Sequence, residues 1–350
     1  MSAPRVPTVL RRCLVSGLLS IVSVASATGP DWPQYRADGA RLGYTPEELP
    51  GELTLDWVRA PRHAPHRAWV GRLLSPSRMH FDWCYTPVVA GGRVFFGSSA
   101  DHQIHALDAA TGKEIWRFFT GGPVRFAPAI WRERLFAVSD DGCLYCLDAR
   151  TGDLLWSMQA GPGPERMIGN GRLVSRWAAR GGPAIRDGVV YFAAGPWPVE
   201  GVYVYAVECA SGRVVWCNDV SGDYEIEHPH MFSVGRGSVG AQGYLAVSRD
   251  NVLVSTGRST PAVYDRETGR LEHFHLSRYG GKTPWGVGGG DTVAIGDVYY
   301  NGGFVFDLAT GLRYSAVGRD DRWNAFSIKG HKYHGQFLDG PRRNLVVTPA

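Results

Sequence analysis

Two inserted segments of the chain carry the charged and aromatic side chains best suited to recognising a protein or glycan surface. These side chains are Arg166, Arg172, Arg176 and Trp177 in residues 161–182, and Tyr224 and His228 in residues 221–240. Both segments lengthen the connections between the repeated units described below, and loops on a rigid scaffold often carry binding residues. The sequence therefore predicts loop binding there, and simple surface decoration is the alternative.

Motifs for other chemistry are incomplete. Gly281 and Lys282 suggest a phosphate-binding loop, but Leu276 stands where that motif requires a glycine. No Gly-x-Ser-x-Gly motif is present, so a hydrolase triad has no starting point. Cys143 and Cys146 have C-x-x-C spacing, yet they fall in an alternating strand pattern that points them to opposite faces. We therefore assign no catalytic and no metal-ligating residue from the sequence.

One short signature recurs five times: an acidic residue, two others, Thr or Ser, and then Gly. Its members are Asp108, Thr111 and Gly112; Asp148, Thr151 and Gly152; Glu208, Ser211 and Gly212; Asp265, Thr268 and Gly269; and Asp307, Thr310 and Gly311. The copies lie about 40 to 60 residues apart, and a unit of about 40 residues is typical of a propeller blade. The acidic side chain can accept turn N–H groups, and glycine supplies a positive φ. The signature therefore predicts the hairpin between the third and fourth strands of each blade.

Composition agrees with this interpretation. The chain contains 45 Gly and 12% aromatic residues, which is typical of many short strands joined by tight turns. We predict an all-β protein, a β-propeller of four-stranded antiparallel blades with five recognisable repeats. The ring is either closed with about six blades or incomplete in this chain, and we favour the second.

Tryptophan recurs at a fixed place in the repeats. Trp116, Trp156 and Trp216 each follow a signature glycine by four residues, and Trp57 matches them ahead of the first copy. We predict that these side chains pack against the next blade, and stacking on a ligand is the alternative. His273 and Ser315 occupy this place in the last two copies, so those blades are predicted to pack differently.

Residues 106–116 resemble the tryptophan-docking motif of the pyrroloquinoline-quinone (PQQ)-type β-propeller repeat, and the resemblance covers roughly residues 86–318. It implies membership of the quinoprotein alcohol dehydrogenase-like superfamily. One branch of that superfamily contains dehydrogenases that hold PQQ and Ca²⁺ at the centre of the ring. Another contains non-catalytic propellers, including the lipoprotein scaffold of the outer-membrane barrel-assembly machinery.

The choice between the branches depends on what the sequence lacks. An adjacent cysteine pair commonly covers the quinone in the enzymes, and no two cysteines are neighbours here. The base and the Ca²⁺ ligands of the enzymes find no assignable counterparts. We therefore predict a non-catalytic scaffold or binding module for a protein or glycan partner, with no cofactor. The alternative is a PQQ- and calcium-dependent dehydrogenase of alcohols or sugars, or a fragment of one.

The two ends of the chain have separate interpretations. Residues 28–85 form an N-terminal segment in which Leu53 to Trp57 resemble an isolated fourth strand that would help to close the ring. Residues 319–350 contain strand-like runs but no sixth signature, and they are predicted to form a partial further blade.

Residues 1–27 have the features of a signal peptide. Basic Arg5, Arg11 and Arg12 precede an apolar run, which ends in small residues up to Ala27. The run is too short to span a bilayer, so we expect cleavage, export to the periplasm or beyond, and no transmembrane anchor. Either the general or the twin-arginine export route fits this segment. Removing its three arginines reduces the formal charge of +4 to +1, and no basic run remains to predict nucleic-acid binding.

Overall fold

The computed structural model describes residues 31–48, 51–69, 81–222, 239–257, 259–275, 289–302 and 304–313, and the backbone of five further strands. The predicted signal peptide, Tyr224, His228 and Ser315 lie outside the described residues. Within the described part, helical structure is confined to one 3₁₀ turn, Pro198–Glu200, and no helix is long and apolar enough to cross a membrane.

Successive antiparallel sheets, called blades below, make up the chain. The first two blades contain β1 (Val88–Ala90), β2 (Arg93–Gly97), β3 (Gln103–Asp108) and β4 (Glu114–Phe119), then β5 (Ala129–Trp131), β6 (Arg134–Val138), β7 (Cys143–Asp148) and β8 (Leu154–Gln159). A separate hairpin follows, formed by β9 (Arg166–Gly169) and β10 (Arg172–Ser175).

The third blade consists of β11 (Gly181–Arg186), β12 (Val189–Ala194), β13 (Tyr203–Glu208) and β14 (Val214–Asn218). A short hairpin of β15 (Glu225–Glu227) and β16 (Val234–Arg236) follows in the chain. The next strand, β17 (Gly243–Tyr244), joins the third blade by pairing in parallel with β11. The later sheets contain β18 (Ala246–Val247), β19 (Asn251–Val254), β20 (Ala262–Asp265) and β21 (Leu271–His273), then β22 (Thr292–Ile295), β23 (Val298–Asn301) and β24 (Phe304–Asp307), then β25 (Asn324–Ile328), β26 (His331–Phe337) and β27 (Leu345–Pro349). The predicted all-β fold of four-stranded antiparallel blades is confirmed.

Burial falls from the inner to the outer strand of a blade. The residues of β3 are buried up to its last position, because neighbouring sheets cover both of its faces. In β4 only alternate residues are partly covered, and Ile115 and Phe119 are exposed. The hydrophobic core therefore lies between blades and toward the first three strands of each.

The repeated signature builds the turn from the third strand to the fourth. In the first blade the Asp108 carboxylate accepts hydrogen bonds from the Thr111 N–H (2.8 Å) and hydroxyl (2.7 Å), and Gly112 N–H donates to the Asp108 carbonyl. Gly112 has a φ of 67°, a conformation that side chains other than glycine rarely adopt. The copies at Asp265 and Asp307 repeat these bonds.

Four of the five signature glycines receive a tryptophan ring. The Trp116 ring lies over Gly152, and its Nε1–H donates to the Ala149 carbonyl (3.2 Å). Trp57 and Trp216 make the same contact with the first and fourth signatures, and Trp156 lies over Gly212. Trp116, Trp156 and Trp216 therefore lie at blade-to-blade contacts, and Trp57 packs on the first blade from the N-terminal segment.

The prediction that His273 packs differently is wrong. Its Nε2 lies 2.9 Å from the Leu308 carbonyl, and its ring covers Gly311 in the way that Trp116 covers Gly152. Leu308 directly follows the signature acid Asp307, and the carbonyls that accept from Trp57, Trp116 and Trp216 also belong to the residue after a signature acid. Imidazole replaces indole here because both are flat rings with an N–H at the edge. Burial lowers the pKa of His273, so the ring is neutral at neutral pH.

Residues 32–40, called the hub segment below, run along the first strands of five blades, which are β1, β5, β11, β18 and β22. Their hydrogen-bond partners, in chain order, are Val89, Ile130, Ile185, Val247 and Ala294. Arg41 follows the segment, is fully buried, and donates to the carbonyls of Pro183, Leu245 and Tyr35. The hub segment therefore ties the first strands of the blades together.

The run from Leu53 to Trp57 is not in a ladder with any described strand. Leu53 and Leu55 are exposed, whereas Trp57 is anchored on the first blade through the Ala109 carbonyl (2.9 Å). The run shares the docking contact of a fourth strand but has no neighbouring strand among the described residues. Its role in closing the ring stays a prediction.

We predict that Gly152→Ala destabilises the protein more than Gly171→Ala does. Both glycines have a positive φ, but an added Cβ at Gly152 would lie 2.7 Å from the Trp116 ring, whereas Gly171 has open space. The steric conflict adds about 1–3 kcal/mol to the shared backbone strain. Urea unfolding of both variants measures the difference, and equal losses would contradict the docking role of Gly152.

His273 makes the stability of the fold sensitive to acid. Because its pKa is lowered in the folded state, its contribution is fully present above the ordinary histidine pKa and is lost as the pH falls through the folded value. We expect His273→Trp to lose less stability than the wild type between about pH 7 and about pH 5. Urea midpoints test this, with exposed His63→Gln as the control. The same pH dependence in wild type and His273→Trp would refute the assignment.

Candidate functional site

Four buried charged side chains meet where inner strands of the first three blades begin or end. This arginine cluster consists of Arg125 before β5, Asp140 after β6, Arg180 before β11 and Asp82 before β1. Arg125 donates to Asp140 through Nε and to Asp82 through Nη1, both at 2.6 Å. Arg180 contacts both Asp140 oxygens at 3.2 Å. Each side chain is no more than 5% exposed.

Pairing offsets the high cost of burying these charges. Burial alone would raise the pKa of Asp140, but Arg180 and Arg125 outweigh it and hold that pKa below its ordinary value. Burial would likewise lower the pKa of Arg125, but Asp140 and Asp82 raise it. The carboxylate and the guanidinium are therefore both ionised at neutral pH.

One donor of the cluster is left over. The Nη2 of Arg125 is buried and has no hydrogen-bond partner among the described residues. Burial, and then the charges of Arg172 and Arg125, lower the pKa of both His66 and His102. The two imidazoles are neutral beside a positive field, with His66 Nδ1 and His102 Nε2 also lacking partners in the described part. The charges of the two arginines and two aspartates balance, and the N–H of Arg125 that has no partner in the described ranges is left as a donor for an anionic group.

Trp69 forms an aromatic wall beside the cluster. The Arg180 guanidinium lies 5.2 Å from the centre of its ring, within the range of a cation–π contact. Its Nε1–H donates to Gln242 (3.1 Å), and the ring of Trp197 meets it edge-on. The site thus combines guanidinium groups with a flat apolar face.

The β9–β10 hairpin lies against the cluster and holds two of the residues that the sequence predicts to bind. Arg172 donates to the Ala100 carbonyl and Arg166 to the Gly121 carbonyl, while Ser175 N–H donates to the Asp140 carbonyl. Asn170 at the hairpin tip donates to the Arg67 carbonyl (2.6 Å). These contacts place Arg166 and Arg172 at the edge of the arginine cluster.

Arg176 and Trp177 lie elsewhere, in contact with the 3₁₀ turn. Arg176 is ion-paired with Glu200, and Trp177 is buried with its Nε1–H donating to the Glu200 carbonyl (2.6 Å). The Trp177 ring also covers Gly161. The structure therefore does not bring these two together with Arg166 and Arg172 on one open surface.

Sequence reasoning missed the four members of the cluster. A usable signal was present, because Arg125 stands between Val124 and Phe126 in an otherwise apolar stretch. A charge with buried apolar neighbours requires a partner of opposite charge. The sequence alone does not reveal which acid fills that role.

A resident metal finds no obvious ligand set in the described ranges. No three His, Cys, Asp or Glu side chains are grouped there so that they could hold an ion. In addition, the carboxylates of Asp82 and Asp140 are already engaged by arginine.

Comparison with known proteins identifies the class. Residues 66–315 match the family model described as outer membrane protein assembly factor BamB, and the chain belongs to this family of PQQ-like repeat proteins. A solved quinohemoprotein alcohol dehydrogenase from Comamonas testosteroni is similar in fold: the TM-score is 0.54 at 17% identity, over 82% of this chain and 48% of that one. The predicted PQQ-like β-propeller is thereby confirmed.

Curated relatives are named as enzymes. The dehydrogenase subunit of alcohol dehydrogenase (quinone) from Gluconobacter oxydans is 26% identical over 253 residues, which is 68% of this chain and 27% of that protein. The subunit of the same name from Gluconacetobacter polyoxogenes is 31% identical over 144 residues, 37% of this chain and 19% of that protein. The chain thus spans about a quarter of these relatives' length.

These names contradict the prediction of a non-catalytic scaffold and favour its alternative, a quinone-dependent dehydrogenase. The prediction relied on a missing cysteine pair. Adjacent cysteines are one way to cover a quinone, but neither charge recognition nor ring stacking requires them. Their absence was therefore a poor guide to the presence of an enzyme.

We predict that Asp140→Asn destabilises the protein by about 3–5 kcal/mol, because two buried guanidinium groups lose their shared counter-charge. Asp187→Asn is the matched control: Asp187 is 65% exposed and also faces two arginines, Arg186 and Arg266, where ion pairs contribute about 1 kcal/mol or less. Chemical unfolding measures both variants. A loss at Asp140 no larger than at Asp187 would contradict the buried network.

Proposed function

We propose that this chain is a quinone-dependent dehydrogenase of alcohols that acts outside the cytoplasm. The observation that carries the proposal is the match of 68% of the chain to the dehydrogenase subunit from Gluconobacter oxydans. The arginine cluster supports it as a place for an anionic, flat molecule. The signal-like residues 1–27 support the location.

PQQ is a planar aromatic tricarboxylate with an ortho-quinone, and the described residues fit these properties. Arg125 offers a buried donor without a partner among them, and Trp69 offers a flat face beside Arg180. We assign the binding of the carboxylates to Arg125 and to Arg172 at the edge of the cluster, and the stacking to Trp69, while Arg180 holds Asp140 against Arg125. When bound, PQQ would supply the two-electron acceptor for oxidation of an alcohol to its carbonyl product.

The fit to Ca²⁺ is poor in the same part of the chain. Calcium takes six to eight oxygen ligands, and the two buried carboxylates of the cluster are bound by Arg125 and Arg180. We therefore assign no step to a metal ion.

His66 is the best candidate for accepting the alcohol proton. Asp140 is a weak base, because Arg180 and Arg125 hold its pKa below its ordinary value, and Asp82 is already ion-paired with Arg125. His66 is neutral at neutral pH, since burial and nearby arginines lower its pKa, and its Nδ1 lacks a partner in the described part. The backbone N–H of His66 donates to the Ser99 hydroxyl, and its backbone carbonyl accepts from Arg125. The backbone of His66 is therefore fixed beside the cluster.

The test is dye-linked alcohol oxidation by the purified protein after addition of PQQ, with and without Ca²⁺. We expect saturable, alcohol-dependent dye reduction that requires PQQ. His66→Gln is expected to lower kcat by about 10²–10⁴-fold, the typical contribution of a general base. Exposed His63→Gln serves as the control and retains full activity. No alcohol-dependent reduction under any of these conditions would refute the proposed function.

A further inference from the structure

The arginine cluster has the chemistry to recognise carboxylates without help from a divalent ion. Asp140 is ion-paired with both Arg125 and Arg180. Asp82 is ion-paired with Arg125 and accepts a hydrogen bond from the Ala68 N–H (2.7 Å). Both carboxylates are already paired with guanidinium groups, whose positive charges would oppose a divalent ion placed there.

The unused polar groups of the site are donors or neutral rings. Arg125 retains Nη2 as a buried N–H donor without a partner among the described residues. Arg172 adds a further positive charge at the rim, with Nη2 bonded to the Ala100 carbonyl. A guanidinium N–H donates charge-assisted hydrogen bonds to a carboxylate, and these are about twice as strong as neutral ones.

Two segments cover the site. The chain from His66 to Ala68 lies directly on Arg125 and Asp82. The tip of the β9–β10 hairpin rests on this chain through Asn170 and on the first blade through Arg172. The contacts described for the tip are side-chain bonds to carbonyls, whereas Ser175 at the base of the hairpin is fixed by a backbone bond to Asp140.

We propose that the site under the β9–β10 hairpin binds a planar polycarboxylate through Arg125 and Arg172 with no divalent cation. The identification of that polycarboxylate as a quinone rests on the proposed function. The recognition itself rests only on the charges and contacts described here. Arg180 and Asp140 position Arg125, and Trp69 supports the ring of the ligand.

The experiment measures equilibrium binding of two probes, PQQ and trimellitate, by quenching of tryptophan fluorescence and by calorimetry. Trimellitate is a planar aromatic tricarboxylate without a quinone. Each probe is titrated in EDTA and again with excess Ca²⁺. We expect both probes to bind in EDTA, with Kd values that change by less than about twofold when Ca²⁺ is added. Binding of PQQ only in the presence of Ca²⁺, or no binding of either probe, would overturn the proposal.

A variant at the rim tests the arginines without emptying the buried network. Arg172→Met is expected to weaken both probes about tenfold, as loss of one charge-assisted bond predicts. Arg249→Met is the matched control, because Arg249 is 84% exposed and pairs with the adjacent Asp250. Unchanged affinity in Arg172→Met would remove Arg172 from the site.

The outcomes separate this inference from the proposed function. Calcium-independent binding of both probes without alcohol-dependent dye reduction would leave the polycarboxylate site in place and refute the dehydrogenase. Alcohol oxidation that requires Ca²⁺ for PQQ binding would support the dehydrogenase and refute calcium-independent recognition.

Discussion

The hub segment is the constraint on which the other features depend. Inner strands of separate sheets need partners for the backbone groups that face away from their own blade, and residues 32–40 supply them to β1, β5, β11, β18 and β22. The segment bonds to Ile130 in β5 through the Pro33 carbonyl and to Ile185 in β11 through the Gln34 side chain. These strands follow Arg125 and Arg180, so hydrogen bonds to one short stretch of chain set the position of the two guanidinium groups.

A second set of contacts holds the blades at their outer ends. There, a flat ring from one blade lies on a glycine turn of the next, and the same contact accepts indole and imidazole. Both sets fix the blades relative to one another. Arg125 and Arg180 lie in the connections that lead into the second and third blades, and Asp140 lies in the β6–β7 turn of the second blade. The charges of the cluster are thus pre-organised by the repeated scaffold.

Local rules explain which parts of the fold were predictable. Asp108, Thr111 and Gly112 form their turn with one another, so their spacing alone predicted the hairpin. The contacts of Arg125 join residues 15, 43 and 59 positions apart, and those of the hub segment span up to 256. Such pairings depend on how blades are placed side by side, which no local pattern encodes. The wrong choice between scaffold and enzyme came from a missing cysteine pair, a local feature that neither charge recognition nor ring stacking requires.

The central claim is that the buried arginine cluster, rather than an exposed loop surface, is the ligand site. Hydrogen exchange of backbone amides, followed by mass spectrometry with and without PQQ, tests it most directly. The account predicts slower exchange in peptides that cover Gly121 to Phe126 and the β9–β10 hairpin. The signature turns at Gly152 and Gly269 are expected to exchange unchanged. Protection confined to other regions, or none at saturating PQQ, would contradict the account.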